Sequence, residues 1–458
     1  MGVNDRLKTT LRPERLPRAY SVELIISGVT ELSITKAGRN NIRMAGFLSQ
    51  VMSARKRLMP HSTGFRYLIL RYNPFVSKQA GLYIHIPFCA RKCTYCNFNT
   101  TDFFTDAAEN YIRALEKEIL FWGARLIEER SEKLSIDTIY FGGGTPSIVE
   151  AEQLARLIAA CQTAFDVSLD AEITIEINPS TFSRQKIADW LRAGINRASV
   201  GAQSFIDSEL TSLHRTHSSA EIRLTIDALR RSGFSNISLD LIAGLPRQRM
   251  EDWEFNLREA LLLRPEHLSL YLLEIKEGTQ LYAEIKRNES LRPDDDLAAR
   301  MYRTICRATR EAGYEHYEIS NFAKSGFISR HNMKYWIAAP FYGLGCGAHS
   351  YDGRARWVNI LRTENYIESV AETGFAVAER RQLSEEERAS EALFMGLRLA
   401  EGIDLAEFRR EFSIDVADRY RDELENLMDA GLVAMSDDRL RLTLEGMLLS
   451  NEVFVNFV

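Results

Sequence analysis

The chain has 458 residues, of which 45% are apolar and 26% are charged, and its formal net charge is −5. This composition is typical of a globular protein with one large domain and one or two small ones, and the acidic balance argues against a general nucleic-acid binder. No apolar run approaches the roughly 20 residues that span a bilayer, and we find no secretory signal. Three of the six cysteines are clustered, which in such a chain favours a metal site over disulfides.

Residues 1–79 differ in charge from the rest of the chain. They contain 14 Lys and Arg against 4 Asp and Glu, whereas the remainder contains 44 against 59. Three interpretations stay open for this basic N-terminal extension: a start-site artefact with initiation nearer Met44, Met52 or Met59, a disordered arm, or an organelle transit peptide. We therefore exclude it from the fold prediction.

From residue 80 onward, short β-rich runs alternate with helical patterns. The predicted strands are Leu82–Phe88, Thr138–Phe141, Glu172–Ile177, Ala198–Gly201, Ile237–Ile242 and His267–Leu273. The predicted helices cover Ala107–Arg130 and approximately 150–165, 183–193, 218–232 and 251–263. Six such units predict an α/β fold with parallel strands, and the polar residues at strand ends favour a partial TIM-like (β/α)6 barrel over residues 80–325.

The remainder of the chain has a different pattern. A helix over about 294–312 precedes a strand candidate, Tyr314–Asn321, and residues 326–383 read as a loop-rich region with many glycines and aromatic residues. Residues 384–458 contain helices followed by two short strands, which predicts a winged-helix-like α+β domain. Its acidic stretch at 421–438 favours a packing role over DNA contact.

The clustered cysteines, Cys89, Cys93 and Cys96, have the spacing C-x3-C-x2-C directly after the first strand. Three thiolates can hold three irons of a 4Fe–4S cluster, which leaves the fourth iron free to bind the amine and carboxylate of S-adenosylmethionine (SAM). A structural zinc site would need a fourth ligand, and the nearest candidate, His85, lies within the strand. Three unligated buried thiols are the remaining alternative.

Polar residues and glycines follow the next strands. The turn Gly142–Thr145 would let backbone approach a ligand closely. Glu176, Gln203 and Asp240 lie in or at the ends of strands, and Arg215 begins the segment after the fourth. A carboxylate such as Glu176 can accept both ribose hydroxyls of a nucleoside. Together these positions predict one ligand site at the carboxyl ends of the strands.

These residues resemble the radical SAM family that contains the oxygen-independent coproporphyrinogen III dehydrogenases (HemN) and the heme chaperones (HemW). The resemblance covers about residues 80–458 and implies that Tyr83 and the three cysteines serve the cluster and its SAM. It implies SAM contacts at Tyr83, Tyr95, Gly143, Gly144, Thr145, Glu176, Gln203, Arg215 and Asp240. The motif leaves open whether one or two SAM molecules bind.

Two features place the chain nearer the heme chaperones. The dehydrogenases carry a further cysteine two residues after the third, and this chain has Phe98 there. Residues 331–336 read H-N-M-K-Y-W, which matches the H-N-x-x-Y-W motif associated with heme binding in that branch. The resemblance thus implies that His331 binds heme iron, a role that suits a neutral imidazole. His349 and Cys346 in the following segment are weaker candidates.

We expect a heme chaperone that delivers heme to client hemoproteins, including those of the respiratory chain. The alternative is oxidative decarboxylation of coproporphyrinogen III by radical SAM chemistry, and a nucleic-acid-modifying enzyme is disfavoured by the acidic surface. Expected partners are heme or a porphyrin and an electron donor, with no nucleic acid. We also expect a dimer, transient membrane association and a cytoplasmic location.

Overall fold

The computed structural model describes the backbone of residues 22–26 and 29–34 and the whole of residues 79–458. Strands β1 (Val22–Ile26) and β2 (Val29–Ile34) pair antiparallel, an element that the sequence pattern did not predict. The three interpretations of the basic N-terminal extension otherwise concern residues outside the described parts of the chain.

The remaining strands and the helices follow in chain order. The strands are β3 Ala80–Ile86, β4 Phe88–Cys89, β5 Thr101–Asp102, β6 Ser135–Gly143, β7 Asp166–Ile177, β8 Arg197–Gln203, β9 Ile237–Ala243, β10 His267–Leu272, β11 Glu315–Glu318, β12 Asn321–Ala323, β13 Phe341–Leu344, β14 His349–Tyr351, β15 Ala355–Asn359, β16 Val377–Gln382, β17 Ile403–Asp404, β18 Val433–Ser436 and β19 Arg439–Leu442. The helices are α1 Thr105–Arg130, α2 Ala151–Ala164, α3 Arg184–Arg192, α4 Asp207–Ser212, α5 Ser219–Ser232, α6 Met250–Leu262, α7 Gln280–Arg287, α8 Asp295–Glu311, α9 Arg330–Trp336, α10 Thr363–Thr373, α11 Glu385–Gly396, α12 Leu405–Phe412, α13 Val416–Arg419, α14 Arg421–Asp429, α15 Leu444–Leu448 and α16 Ser450–Phe454.

A twelve-stranded sheet organises the domain, in the order β11-β12-β10-β9-β8-β7-β6-β3-β13-β14-β15-β16. Strands β3 and β6 to β10 pair in parallel with one another, and one or two helices follow each of them. The predicted (β/α)6 arrangement is therefore confirmed. Because the strands are parallel, their carboxyl ends meet at one end of the barrel, where the predicted ligand site lies.

The barrel strands are buried on both faces, as parallel strands covered by helices require. All seven residues of β3 are buried. Helix α1 covers the outer face with a buried stripe that includes Tyr111, Leu115, Ile119 and Trp122, spaced three and four residues apart. Burial of each such side chain contributes roughly 1.5–3 kcal/mol to folding.

The prediction of a loop-rich region over residues 326–383 is wrong. This segment contains helices α9 and α10 and four strands that continue the sheet, because β13 pairs in parallel with β3 and β14 to β16 follow antiparallel. The strands β13 to β15 are only three to five residues long, and Gly345 and Gly347 in the turn between β13 and β14 adopt positive φ. Periodicity cannot be read from such short runs. The strand predicted at Tyr314–Asn321 is the hairpin β11–β12.

The C-terminal residues form the predicted winged-helix-like unit. Strand β17 follows helix α11, and helices α12 to α14 lead to β18 and β19, which form the wing and join β17 in a three-stranded sheet of order β17-β19-β18. Arg398 joins this unit to the barrel, because its guanidinium lies 4.3 Å from the Trp336 ring and 3.2 Å from the Glu318 carboxylate. Within the described residues, no helix combines the length and apolarity that crossing a membrane requires.

Candidate cluster and SAM site

The three clustered cysteines lie on a loop that is fixed to the barrel by backbone hydrogen bonds. Thr94 N donates to Leu213 O at 3.2 Å, and Leu281 N donates to Thr94 O at 2.8 Å. The beginning and end of the loop are joined by the short parallel pair of β4 and β5. The loop is thus positioned between β3 and helix α1 at the carboxyl end of the barrel.

The thiols face one cavity and have hydrogen-bond donors beside them. Thr145 Oγ1 is 3.5 Å from Cys89 Sγ, and Arg215 Nη1 donates to Cys93 Sγ at 3.5 Å. Burial raises the pKa of the Cys96 thiol, and a coordinating metal would favour its thiolate form. Three soft donors on one wall of an open cavity fit a cluster that has a free coordination site.

Among residues 79–458, no three His, Cys, Asp or Glu side chains converge closely enough to hold a single metal ion. The thiols of a cubane cluster bind three different irons, so their spacing need not meet this condition.

The glycine turn after β6 lets two segments approach closely. Gly143 has φ of +115°, and a Cβ there would lie 2.5 Å from the His85 ring. A Cβ on Gly144 would lie 2.7 Å from the carbonyl oxygens of Pro87 and Phe88, which precede the first cysteine. These glycines therefore allow the turn to pack directly against the cluster loop, as the sequence pattern suggested.

Glu176 at the end of β7 is held by two donors, since Tyr140 Oη donates to its Oε1 at 2.9 Å and Gly143 N donates to its Oε2 at 3.1 Å. Burial raises its pKa to about 7, although both hydrogen bonds lower it. Burial likewise raises the pKa of Asp240 to about 6, against hydrogen bonds from neighbouring serines. Raised pKa values of this kind, in carboxyls that line a cavity, are typical of functional sites.

Gln203 and Arg215 complete the far wall of the cavity. Gln203 ends β8 with φ of +66°, a conformation that non-glycine residues adopt at a cost in free energy and that recurs at ligand sites. Arg215 Nη2 donates to Gly201 O at 2.7 Å, which aims its other nitrogen at Cys93. A fixed guanidinium beside the thiols offsets negative charge at the cluster position.

Eleven of the thirteen predicted site residues line a single cavity. They are Cys89, Cys93, Tyr95, Cys96, Gly143, Gly144, Thr145, Glu176, Gln203, Arg215 and Asp240. Tyr83 lies behind the wall, where its hydroxyl is 3.1 Å from His85 Nδ1 and its ring packs near Tyr140. From this position it would support the site without lining it.

His331 lies apart from this cavity. Its Nδ1 is 2.8 Å from Thr138 Oγ1 and its Nε2 is 2.9 Å from Tyr335 Oη, and the side chain is fully buried. Thr138 belongs to the amino-terminal half of β6, and Gly81, where an added Cβ would lie 3.1 Å from the His331 ring, belongs to that of β3. The structure thus places His331 inside the barrel, towards the end opposite the cysteines, with both ring nitrogens engaged.

Several cavity residues escaped the sequence analysis. Ser199 and Gly201 precede Gln203 at alternate positions of β8, and Tyr271 follows Ser269 in the same way on β10. Alternation along a strand could have indicated them, because every second residue of a barrel strand faces inward. Lys276 after β10 carried no comparable signal.

Comparison with known proteins assigns the family. A sequence model of the radical SAM superfamily matches residues 83–260, and one of the HemN C-terminal domain matches residues 383–449. The chain is 35% identical over 377 residues to the heme chaperone HemW of Bacillus subtilis. The aligned region covers 82% of this chain and 98% of that protein. This chain belongs to the HemW family of radical SAM proteins.

Other relatives agree with this assignment. A mitochondrial protein of Bos taurus named radical S-adenosyl methionine domain-containing protein 1 is 33% identical over 393 residues, covering 83% of this chain and 88% of that protein. The solved structure of HemN, the coproporphyrinogen III oxidase of Escherichia coli, covers 90% of this chain and 93% of its own with a TM-score of 0.73 at 23% identity, which shows a shared fold.

The family assignment confirms the two resident cofactors expected from the cysteine motif. Radical SAM proteins carry a 4Fe–4S cluster and SAM, and the superfamily match includes all three cysteines and the polar strand ends that line the cavity. The residues that line the cavity fit both the cluster and SAM.

Proposed function

We propose that this protein is a heme chaperone, which binds heme and delivers it to hemoproteins while holding a SAM-bound 4Fe–4S cluster. The proteins named heme chaperone HemW in Bacillus subtilis and Lactococcus lactis support this function, at 35% and 32% identity over 98% of each. The observation that carries the choice is Phe98, which lines the cluster cavity at the position where the dehydrogenases have a further cysteine. A phenyl ring supplies no thiol there.

The cavity residues would each serve the cofactors in a definite way. Bound SAM and a reduced cluster supply one-electron cleavage of a sulfonium C–S bond. Glu176 would accept hydrogen bonds from the SAM ribose, and the glycine turn would let the backbone approach the ligand. Arg215 would hold positive charge beside Cys93.

The second candidate is oxidative decarboxylation of coproporphyrinogen III, which the complete set of SAM-cavity residues favours. The two functions can be separated in one experiment. The protein is reconstituted anaerobically with iron and sulfide, reduced, and given SAM with either ferric heme or coproporphyrinogen III. We expect a Soret band from bound heme and no protoporphyrinogen, with a HemN preparation as positive control. Formation of protoporphyrinogen would establish the second candidate, and lack of heme binding would refute the first.

The pH dependence of SAM binding tests the proposed role of Glu176. Because its pKa is raised to about 7 by burial, the carboxylate is the minority form at pH 6 and the majority form at pH 8. Only the carboxylate can accept from both ribose hydroxyls, so we expect wild type to bind SAM more tightly at pH 8. Glu176→Gln should weaken binding about tenfold at pH 8, the size of a lost charge-assisted hydrogen bond.

The SAM amine also titrates in this range, in wild type and variant alike. The contribution of Glu176 is therefore the difference between their pH profiles, measured by anaerobic equilibrium dialysis with labelled SAM. The exposed Glu129→Gln serves as the matched control and should follow wild type. Parallel profiles for wild type and Glu176→Gln would remove Glu176 from the ribose site.

The remaining partners are proposed from chemistry. Arg91 and Lys92 are exposed beside the cluster loop and would suit an acidic electron donor. All six cysteines lie in residues 79–458 and none forms a disulfide, as in proteins of reducing compartments, which supports a cytoplasmic location. The mitochondrial relative keeps the transit-peptide interpretation of residues 1–79 open. Dimerisation and transient membrane association stay predictions.

A further inference from the structure

Arg197, the first residue of β8, is a buried arginine without an ion pair, since it is 1% exposed and no carboxylate oxygen of residues 79–458 lies within 4 Å of its guanidinium. Its Nε is a buried nitrogen without a hydrogen-bond partner. The Oγ1 of Thr174, which pairs with Arg197 between β7 and β8, also has no partner. A buried charge is costly unless it is compensated, so we expect negative charge nearby.

The alternation of side chains along β8 places Arg197 inside the barrel. Ser199, Gly201 and Gln203 follow it at every second position, and all three line the cofactor cavity. The intervening Ala198 belongs instead to the apolar core under the helices. Because successive side chains of a strand point to opposite faces, Arg197 lies on the same face as the cavity residues, one step deeper in the barrel.

Two carboxylates on the neighbouring strands also have no ion pair. In the described part of the barrel, no cation lies within 4 Å of Glu176 on β7 or of Asp240 on β9. The other buried carboxylates of these strands and of the β11–β12 hairpin have partners of their own: Asp137 pairs with Lys334, Glu172 accepts from the backbone nitrogens of Arg330 and His331, and Glu318 pairs with Arg398. The compensating charge for Arg197 is therefore that of Glu176 and Asp240.

The pKa values of the two carboxyls respond to the arginine. Burial raises the pKa of Asp240 to about 6, and the charge of Arg197 is the strongest influence that lowers it. Burial and the charge of Asp240 raise the pKa of Glu176, which hydrogen bonds and Arg197 lower.

The other titratable groups around the two carboxyls do not change charge near neutral pH. Burial raises the pKa values of the neighbouring tyrosines and lowers that of His267, so all are neutral there; the tyrosines are Tyr83, Tyr140 and Tyr271. The remaining charged residues that line the cavity are Arg91, Lys92, Arg215, Glu274 and Lys276. Arg215 is directed at Cys93, and Lys276 pairs with Glu274 at 2.8 Å.

We propose that Arg197 is a positioning residue of the SAM site, the fixed countercharge that keeps Glu176 and Asp240 ionised together. Two carboxylates and one guanidinium leave a single negative charge, which complements the net positive charge of SAM. Without the guanidinium the two acids would share a buried site, where like charges oppose ionisation of both. The inference concerns SAM binding, which both candidate functions require, so it does not depend on the choice between them.

The pH profile of SAM binding tests this role. Full-length wild type, Arg197→Met and Arg197→Lys are reconstituted anaerobically, checked for equal iron content and dialysed against labelled SAM from about pH 6 to about pH 8.5. We expect Arg197→Met to bind SAM about tenfold more weakly at pH 7 and to recover as the pH rises. Loss of the nearby positive charge raises the pKa of both carboxyls, and one unit corresponds to about tenfold. Arg197→Lys keeps the charge and should follow wild type.

Arg398→Met is the matched control, because it removes another buried guanidinium, one that pairs with Glu318 away from the cavity. It should lower the thermal midpoint and leave the pH profile of SAM binding unchanged. If Arg197→Met alone does not fold, the comparison is made between Asp240→Asn and Asp240→Asn with Arg197→Met, where the double variant should need a higher pH to bind SAM. A wild-type profile in the arginine variant, or weakening by the same factor at every pH, overturns the proposal.

Discussion

Replacement of Cys93 by alanine should abolish the 4Fe–4S cluster. Cys93 is the middle thiol of the motif, faces the cofactor cavity and receives a hydrogen bond from Arg215. Without it one iron loses its only protein ligand, since three thiolates hold the cluster. After anaerobic reconstitution we expect iron and sulfide near background, against about four of each per wild-type chain, and no bleaching of visible absorption on reduction.

Cys161→Ala and Cys306→Ala provide matched controls, because both remove a buried helical thiol. These variants should keep the full iron content and the reducible absorption band. SAM binding should be lost together with the cluster in Cys93→Ala, since the free iron is its chelation point. A stable, reducible cluster in Cys93→Ala would show that the loop finds another ligand and would contradict the assignment.

The architecture was predictable where elements are long and periodic. The parallel strands β3 and β6 to β10 are short apolar-rich runs that alternate with helical patterns, and α1 repeats its apolar residues at helical spacing over 26 residues. The strands β13 to β15 are only three to five residues long, so their membership of the sheet depends on pairing with β3 and cannot be read locally.

The site was predictable where a residue type is itself unusual at its position in the sequence. Cysteine spacing, the glycine turn and isolated polar residues at or near strand ends indicated ten cavity residues, and the family resemblance added Tyr95. Ser199 and Tyr271 were missed because serine and tyrosine have many roles in strands. Only the strand register shows that these two side chains face the cavity. For His331, the motif predicted iron binding, but it could not show that Thr138 and Tyr335 occupy both nitrogens.

The contacts of Lys334 and Trp336 give helix α9, which contains residues 331–336, a role in packing. Lys334 is fully buried, and its Nζ is 2.6 Å from Asp137 Oδ1 and 3.1 Å from Gln79 O, at the start of β3 and β6. Trp336 in the same helix stacks with Arg398 of the C-terminal unit. Helix α9 therefore closes the amino-terminal end of the barrel and joins it to the C-terminal unit.

We accordingly expect Lys334→Met to destabilise the protein by about 3–5 kcal/mol, because it leaves the Asp137 carboxylate buried without its nearest cation. Arg330, which is 3.4 Å from the other Asp137 oxygen and partly exposed, would offset some of this loss. The double variant Asp137→Leu with Lys334→Met removes both charges and should recover most of the stability. Chemical denaturation followed by tryptophan fluorescence measures the free energy of unfolding, with the exposed Lys286→Met as the neutral control.

If the double variant were no more stable than Lys334→Met, the cost would lie in packing rather than in the unpaired charge. Wild-type stability in Lys334→Met would show that the pair contributes nothing.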